Sequence, residues 1–355
     1  MKRIQLVFFG VVFLSLYATA QVSPNRWSAA RAKSWYAGQG MPVGANFLPS
    51  TAINQLEMWQ AATFDTATIS KELGWAAAIG MNTMRVYLHD LAWLADSTGF
   101  KQRIHTFLDI ADRHRIRALF VFFDDCWNPD PQIGQQPAPK PGIHNSGWVR
   151  SPSKAVHDDS TKWGYLERYV KDVLDHFRND KRILLWDLYN EPGNNGYNLT
   201  SLPLLRKVFE WAWTVRPSQP LSVGTWYDNK VLSEFQLASS DVITFHNYND
   251  STNLEKEILS LKKLGRPIIC TEYMARTRGS KFQSHLPVFK KHKVGAINWG
   301  LVAGKSNTIY QWDTPMPDGA EPAVWFHDVF RKDGSPYDPD EINAIKQVTI
   351  PRKGH

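Results

Sequence analysis

Short apolar runs and amphipathic runs alternate along the chain from residue 41 to about residue 331. Each apolar run is rich in β-branched or aromatic residues and is bounded by Gly, Pro, Asn or Asp, a pattern that predicts a strand. The eight predicted strands are PVGANFL, NTMRVYL, ALFVFFDD, ILLWDLYNE, LSVGTWY, DVITFHNY, PIICTEYM and VGAINWGL.

The segments between the strands have the spacing of amphipathic helices. Residues 69–77, 163–177 and 254–264 place apolar side chains three or four positions apart, and Gly80 and Gly265 stop the first and last of them. Strict strand–helix alternation implies parallel strands. No strand leads into a G-x-G-x-x-G loop, as an open doubly wound sheet would often have. The pattern therefore predicts an α/β fold, a single (β/α)8 TIM barrel.

The chain ends set the predicted domain limits. Lys2 and Arg3 precede the apolar stretch LVFFGVVFLSLY, and Ala18-Thr19-Ala20 follows it. This layout predicts a cleavable signal peptide over residues 1–20 and a secreted or periplasmic protein. No other segment reaches the roughly 18 apolar residues of a membrane span. One barrel domain is expected over residues 21–355, with 21–40 as a lead-in and 332–355 as a short tail.

The distribution of charge argues against a nucleic-acid partner, and the two cysteines allow at most one disulfide. The formal net charge is +7, or +5 without Lys2 and Arg3 (7 − 2), and the basic residues are scattered along the chain. A nucleic-acid-binding surface would need them clustered, so no such partner is predicted. Cys126 and Cys270 leave one disulfide possible, but free thiols are expected if they lie on separate strands. We expect a monomer with a carbohydrate substrate and no cofactor or metal.

Two loops are longer than the rest, and both follow predicted strands. CWNPDPQIGQQPAPKPGIHNSGWVRSPS comes after the third strand and AGKSNTIYQWDTPMPDGA after the eighth. They leave the carboxyl ends of strands, where barrel enzymes hold their active sites. Long loops in a compact domain are either functional or disordered. For the proline-rich loop, a plain insertion stays open beside a functional role.

The predicted strands end in chemically active residues rather than in small turn formers. These are Asn46, Arg85, Asp124, Asp125, Asn190, Glu191, Trp226, His246, Tyr248, Glu272 and Trp299. Glu191 and Glu272 are 81 residues apart (272 − 191), which is three strand–helix units and places them on the fourth and seventh strands. Those strands face each other across a barrel of eight. Most glycoside hydrolases use a pair of carboxyl groups at one site. The distance between the two groups determines whether the anomeric configuration is retained or inverted.

The ordered strand ends resemble those of a known family. NEP at the fourth strand, H-N-Y at the sixth, T-E-Y at the seventh and N-W at the eighth resemble the retaining barrel glycosidases of glycoside hydrolase family 5, which include cellulases and β-mannanases. The resemblance implies that Glu191 is the general acid/base, kept protonated by apolar surroundings and a neighbouring carboxylate. It implies that Glu272 is the nucleophile.

The same resemblance implies roles for the residues around the pair. Arg85 would hold Glu272 ionised and Tyr248 would hydrogen-bond it, whereas Asn190 would contact the sugar 2-hydroxyl. His246 would orient the acid/base or a hydroxyl, and Trp299 would form the floor under the cleaved sugar. Candidate stacking platforms are Trp127, Trp148, Trp226 and Trp312.

One strand end departs from the family pattern. Members usually carry a histidine near the end of the third strand, where this chain reads FVFFDDCWN. Asp124, Asp125 or Trp127 could supply that contact, or His89 could reach in from the second strand. The departure leaves the identity of the bound sugar open among β-mannan, β-glucan, xylan and terminal β-glycosides.

Side-chain alternation gives a geometric expectation, because residues two apart point to the same side of a strand. His246 and Tyr248 should both face inward, and Cys270 should line the barrel interior beneath Glu272. Two other functions stay open. One is a carbohydrate-binding barrel that has lost catalysis. The other is a metal-dependent hydrolase, although no H-x-H or H-E-x-x-H spacing is present and Arg85 would repel a cation.

Overall fold

The computed structural model describes residues 25–350. The predicted signal peptide, residues 1–20, lies outside the described residues. Eight strands are present in the described part, close to their predicted positions: β1 Val43–Asn46, β2 Thr83–Tyr87, β3 Arg117–Asp124, β4 Ile183–Asn190, β5 Leu221–Ser222, β6 Ile243–His246, β7 Ile268–Glu272 and β8 Gly295–Asn298.

Helices separate the strands and also occupy both ends of the described chain. They are α1 Ala29–Ala37, α2 Gln55–Trp59, α3 Thr66–Ala78, α4 Asp90–Ala95, α5 Ser97–Arg113, α6 Lys154–His157, α7 Gly164–His176, α8 Leu202–Val215, α9 Lys230–Ser239, α10 Ser251–Lys262, α11 Phe282–His292 and α12 Pro339–Thr349. The lead-in and the tail are therefore each helical in part. Helix α12 packs against α11 and buries Ile342 and Ile345, so it belongs to the outer helical layer.

The strands form one parallel sheet in the order β5-β4-β3-β2-β1-β8-β7-β6. Its two edges meet where Thr225, just after β5, bridges in parallel to Phe245 on β6. The backbone N–H of His246 donates to Thr225 O at 2.9 Å. These bonds bring the edges together, and the predicted (β/α)8 barrel is confirmed.

Two buried layers hold the barrel. Inside it, Leu119, Val121, Leu185, Ile269 and Ile297 form a cluster with the aromatic residues of the upper end. The larger outer cluster joins the other face of the strands to the apolar faces of the helices. This double burial explains why β3 and β4 read as nearly continuous apolar runs, since both faces of a parallel strand are covered.

The strand β7 departs from simple alternation. Ile269 faces the barrel interior, whereas Cys270 packs in the outer cluster, so the expectation that Cys270 lies beneath Glu272 is wrong. The register explains it: Phe245 pairs with Cys270 but His246 pairs with Glu272, which leaves Thr271 as an extra residue. A bulge of this kind reverses the alternation and turns the next side chain to the other face. Cys126 and Cys270 are both free and buried.

The long loops after β3 and β8 are joined to each other. The Asn145 N–H donates to Ser306 O at 2.8 Å, the Met316 N–H donates to Gly142 O at 3.0 Å, and Asn307 Nδ2 donates to Lys140 O at 2.8 Å. Together the two loops build one wall above the carboxyl end of the barrel. Within residues 25–350, every helix is too short or too polar to cross a bilayer.

Three buried carboxyl groups predict how stability depends on pH. Burial raises the pKa of Glu72 to about 7, and those of Asp124 and Asp328 to about 6. Because these folded-state values exceed the ordinary ones, each of the three groups contributes stability at low pH that is lost as pH rises through its folded-state pKa. Buried His144 and His327, whose pKa values are lowered by burial, act in the opposite direction. We therefore expect the change in the free energy of unfolding from pH 5 to pH 8 to be more positive in Glu72→Gln than in the native protein. Calorimetry across the range measures it, and an unchanged slope in the variant would contradict the assignment.

Candidate active site

The turn that follows β4 sets the first carboxyl group at the barrel mouth. Glu191 has a φ of 43° and Gly193 a φ of 93°. A left-handed conformation at a non-glycine residue is uncommon and is concentrated at functional sites. Gly193 also has no room for a side chain, because a Cβ at this position would lie 2.5 Å from Tyr227 Oη. The segment N-E-P-G thus ends the strand and points the Glu191 side chain over the mouth.

Asp125 supports this turn from behind. Its Oδ1 accepts from Tyr189 Oη at 2.7 Å, and its Oδ2 accepts from the Gly193 N–H at 2.8 Å and from Ser201 Oγ at 2.5 Å. The side chain is buried and does not line the cavity. The structure therefore does not place Asp125 with the other predicted substrate-binding residues. Its carboxylate satisfies the turn that carries Glu191.

The two predicted catalytic carboxyl groups lie together. The strands β4 and β7 are on opposite sides of the barrel, and His246 lies between their ends. His246 Nδ1 is 2.8 Å from Glu191 Oε1 and 3.5 Å from Glu272 Oε2. One carboxyl oxygen of Glu191 and one of Glu272 lie within 4.8 Å of each other. Long-range topology has brought residues that are distant in sequence onto one site.

Glu272 is held by donors on both of its oxygens. Arg85 Nη1 donates to Oε1 at 2.6 Å and Tyr87 Oη donates to the same oxygen at 2.9 Å, while Tyr248 Oη donates to Oε2 at 2.8 Å. These three donors fix the position of the carboxylate at the barrel mouth. Tyr87 was not among the predicted site residues. Its position two residues after Arg85, on the same face of β2, was the available signal.

Arg85 is completely buried below the carboxyl pair rather than exposed to the cavity. Besides Glu272, its guanidinium donates to Asp187 Oδ2 at 2.7 Å, Asn190 Oδ1 at 2.7 Å and Asn46 Oδ1 at 2.8 Å. Asp187 was also not among the predicted site residues, although it lies inside the strand that ends in Asn190. Arg85 therefore positions Glu272 and Asn190 from beneath and is shared between two carboxylates.

Glu191 has a different set of partners. Asn194 Nδ2 donates to Oε2 at 2.5 Å and Cys126 Sγ to the same oxygen at 3.3 Å, while His246 contacts Oε1. Burial raises the pKa of Glu191, but the hydrogen bonds from His246, Cys126 and Asn194 outweigh it and hold the pKa below its ordinary value. The expectation that its surroundings keep Glu191 protonated is wrong for the free protein. Neither Cys126 nor Asn194 was identified from sequence.

A cavity of about 410 Å³ surrounds the pair. Its wall is largely aromatic, as a surface for the apolar face of a sugar ring would be. Of the residues predicted from sequence, its lining includes Glu191, Glu272, Asn190, His246, Tyr248, Trp127, Trp148, Trp226, Trp299 and Trp312.

Asp124 is one of the candidates for the contact that a third-strand histidine makes in the family pattern. It lines the cavity and accepts from Asn190 Nδ2 at 2.9 Å and from Trp148 Nε1 at 2.7 Å. His89 is buried away from the cavity, with Nε2 at 3.0 Å from Arg150 O. Among the candidates for that contact, the structure places Asp124 and Trp127 at the cavity and Asp125 and His89 away from it.

A (β/α)8 barrel with two opposed carboxyl groups at its carboxyl end defines an O-glycosyl hydrolase. The model of the family "Cellulase (glycosyl hydrolase family 5)" matches residues 73–305, about two thirds of the 355-residue chain. The chain belongs to glycosyl hydrolase family 5. No curated protein matches the sequence significantly.

Solved structures share the fold at low sequence identity. An endo-β-1,4-mannanase from Thermotoga petrophila has a TM-score of 0.57 at 13% identity, with 89% of this chain and 77% of that chain covered. An exo-β-1,4-mannosidase from Opitutaceae bacterium strain TAV5 has a TM-score of 0.61 at 15% identity, covering 87% and 60%. A β-1,4-mannanase from the sea hare Aplysia kurodai has a TM-score of 0.54 at 16% identity, covering 80% and 95%.

Proposed function

We propose that this protein is a secreted, retaining β-glycosidase that cleaves terminal β-mannosidic linkages by double displacement. The observation that carries the retaining mechanism is the short distance between Glu191 and Glu272, whose nearest oxygens lie within 4.8 Å. Retaining enzymes have carboxyl groups about 5–5.5 Å apart, whereas inverting enzymes leave about 6.5–9.5 Å for a water molecule. The lead segment, residues 1–20, supports secretion.

In the first step Glu272 attacks the anomeric carbon while Glu191 gives its proton to the departing glycosidic oxygen. The bond to the leaving group breaks, and a covalent ester between the sugar and Glu272 forms. In the second step Glu191 takes a proton from water, the water oxygen attacks the anomeric carbon, and Glu272 leaves as a carboxylate. Arg85, Tyr87 and Tyr248 stabilise that carboxylate. Asn190, fixed by Arg85 and Asp124, is placed to contact the sugar.

Two observations support a terminal β-mannoside as the substrate. The three similar structures described above are a mannosidase and two mannanases. The wall built by the two long loops bounds the cavity through His144, Asn145 and Trp312, which favours attack at a chain end over attack within a polymer.

The experiment is a panel of reducing-end-labelled β-manno-, gluco- and xylo-oligosaccharides. We expect mannose to be released singly from manno-oligosaccharides, with the β-anomer formed first. Early release of internal fragments would show that the enzyme cleaves within the chain and would contradict the proposed cleavage at the chain end. Turnover confined to gluco- or xylo-oligosaccharides would overturn the mannoside assignment and leave the mechanism intact.

A metal-dependent hydrolase is the second candidate, because Glu191, His246 and Glu272 each offer a ligand atom within 4.8 Å of the others. The contacts of Glu272 oppose it. Both of its oxygens already accept hydrogen bonds, and the buried Arg85 guanidinium is 2.6 Å away. A cation there would compete with the positive charge of Arg85 for the same carboxylate. Turnover that persists in excess EDTA would exclude this candidate.

The partners of Glu191 predict the pH dependence. A general acid works only while protonated, so a lowered pKa makes activity fall as pH rises from the acid side. His246→Ala removes the hydrogen bond that lowers this pKa most. We expect the alkaline limb of kcat/KM to move to higher pH, together with a lower kcat. The control is His105→Ala, a histidine on α5 outside the site. A limb that moves to lower pH in His246→Ala would contradict the assignment.

A further inference from the structure

A second cavity, larger than the catalytic one, lies elsewhere on the barrel. A groove of about 810 Å³ opens at the amino ends of β7 and β8, the opposite end of the barrel from Glu272. Its floor is apolar and includes Met41, Ile268 and Val294. We call it the basal groove. Ligand sites commonly have volumes of about 300–1,000 Å³ and mostly apolar linings with a few polar groups.

The rim of the basal groove is positively charged. It carries five side chains that are cationic at neutral pH, and no Asp or Glu lines it: Lys33, Lys262, Arg266, Lys290 and Lys293. They come from α1, from the ends of α10 and α11, and from the start of β7. They therefore stand on several sides of the opening rather than in one row.

None of these five cations has a carboxylate partner within ion-pair distance among the described residues. Lys262 Nζ contacts His292 Nδ1 at 3.0 Å, and Lys290 Nζ donates to Gln347 O at 3.1 Å. The guanidinium of Arg266 donates to the backbone carbonyls of Asp241 and Trp27 at 2.9 and 2.8 Å.

Two acidic residues that contact groove residues are already engaged. The carboxylate of Glu255 binds Lys291 and His292, and that of Asp241 binds Arg216 and the backbone N–H groups of Trp27 and Leu221. Asp241 also attracts Arg266 at longer range, so the charge of Arg266 is partly compensated, whereas the four lysines have no carboxylate at ion-pair distance among the described residues.

Helix ends explain only part of this pattern. Basic residues are favourable near the carboxyl end of a helix, which accounts for Lys262, Lys290 and Lys293. It does not account for Lys33, which lies within α1, or for Arg266, which precedes β7. The long helix α8 has no basic residue in its last turn. The concentration of charge is thus a local feature of the groove.

We propose that the basal groove binds an acidic oligosaccharide, a glycan that carries carboxylate or sulfate groups. Cations on several sides match a ligand with separated negative charges, and the floor with the ring of Tyr36 matches the apolar face of a sugar. A concave pocket with an apolar floor differs from the long basic track that a nucleic-acid backbone requires. The site would hold the enzyme on an acidic polymer while the opposite end acts on its substrate.

The test is titration calorimetry of the full protein with an oligogalacturonate at low salt, compared with a neutral manno-oligosaccharide. We expect the oligogalacturonate to bind and to weaken as salt is added. The double variant Lys33→Glu with Lys293→Glu should raise its Kd by about tenfold or more, because two attractive contacts become repulsive.

The matched control is Lys181→Glu with Lys332→Glu, two exposed lysines outside the groove that give the same change in net charge. Hydrolysis of a neutral substrate should be unchanged in both variants. Equal loss of binding in both would show attraction to net charge alone and overturn the proposal. It would also be overturned by an absence of binding to the native protein, or by tighter binding of inorganic phosphate or a DNA oligomer. None of these outcomes bears on the catalytic proposal.

Discussion

Glu272→Ala is expected to lower turnover of an aryl β-mannoside by at least about 10³-fold. The variant lacks the oxygen that forms the bond to the anomeric carbon, and its neighbours Arg85, Tyr87 and Tyr248 lose their shared acceptor. Among the described residues, the other carboxylates that line the cavity are Asp124, at the end of β3, and Glu191, on the turn after β4, so neither comes from the β7 side that carries Glu272.

The product formed in the presence of azide tests whether Glu272 acts as the nucleophile. Azide can enter the space left by the carboxylate and attack the anomeric carbon once, which yields the α-glycosyl azide. In Glu191→Ala the covalent intermediate still forms from an activated aryl glycoside, and azide attack on it yields the β-glycosyl azide. The two variants should therefore give opposite anomers.

Glu257→Gln is a matched control, because Glu257 accepts from Asn247 Nδ2 at 2.6 Å and does not line the cavity. Near-native turnover is expected for it. Retained turnover in Glu272→Ala, or the same anomer from both catalytic variants, would contradict the assigned roles.

Arg85→Leu is expected to reduce the free energy of unfolding by about 3–5 kcal/mol. Arg85 is fully buried and lies 2.7 Å from Asp187 and 2.6 Å from Glu272. Without it, these two carboxylates stay buried with no cation beside them, which costs more than the ion pairs themselves contribute. Arg85→Lys keeps the charge but offers three donors on one nitrogen in place of the planar guanidinium fork that also reaches Asn46 and Asn190, so an intermediate loss is expected.

Urea unfolding followed by tryptophan fluorescence measures the effect. Arg276→Leu is the matched control, because Arg276 forms a buried pair with Glu341 at 2.6 Å outside the cavity. It should also lose stability, yet its folded fraction should keep near-native kcat, whereas the folded fraction of Arg85→Leu should not. An Arg85→Leu protein as stable as the native one would refute the argument from buried charge.

Glu191, Glu272, His246 and Tyr248 were identified because each ends a strand, and parallel barrel strands all end at one face. Asp125 shows the limit of that rule. It follows Asp124 directly, so one of the two had to face away from the cavity, and a strand end alone does not tell which one.

Cys126 and Cys270 show two further limits. Cys126 lies beside Glu191 because the turn after β4 folds back over the end of β3, a contact between segments far apart in sequence. Cys270 was expected to face inward from its period of two, but the bulge at Thr271 shifted the face by one residue. A bulge is a property of the pairing between two strands, so the alternation within β7 alone did not show it.

The basal groove also depended on tertiary structure. Its five cations are separated by more than two hundred residues between Lys33 and Lys262, so their clustering could not be read from a chain in which basic residues are scattered.

By itself, the sequence determined the order of eight strands and their helices, the barrel class, the paired glutamates at opposite strands and the family to which they point. These follow from the hydrophobic periodicity within each segment and from the number of strand–helix units between residues, both of which can be read from the sequence. Tertiary structure alone decided the 4.8 Å approach of the carboxyl oxygens, the burial of Arg85 and the partners that lower the pKa of Glu191. Such properties depend on distances between side chains from several strands, and those distances exist only after the barrel has closed.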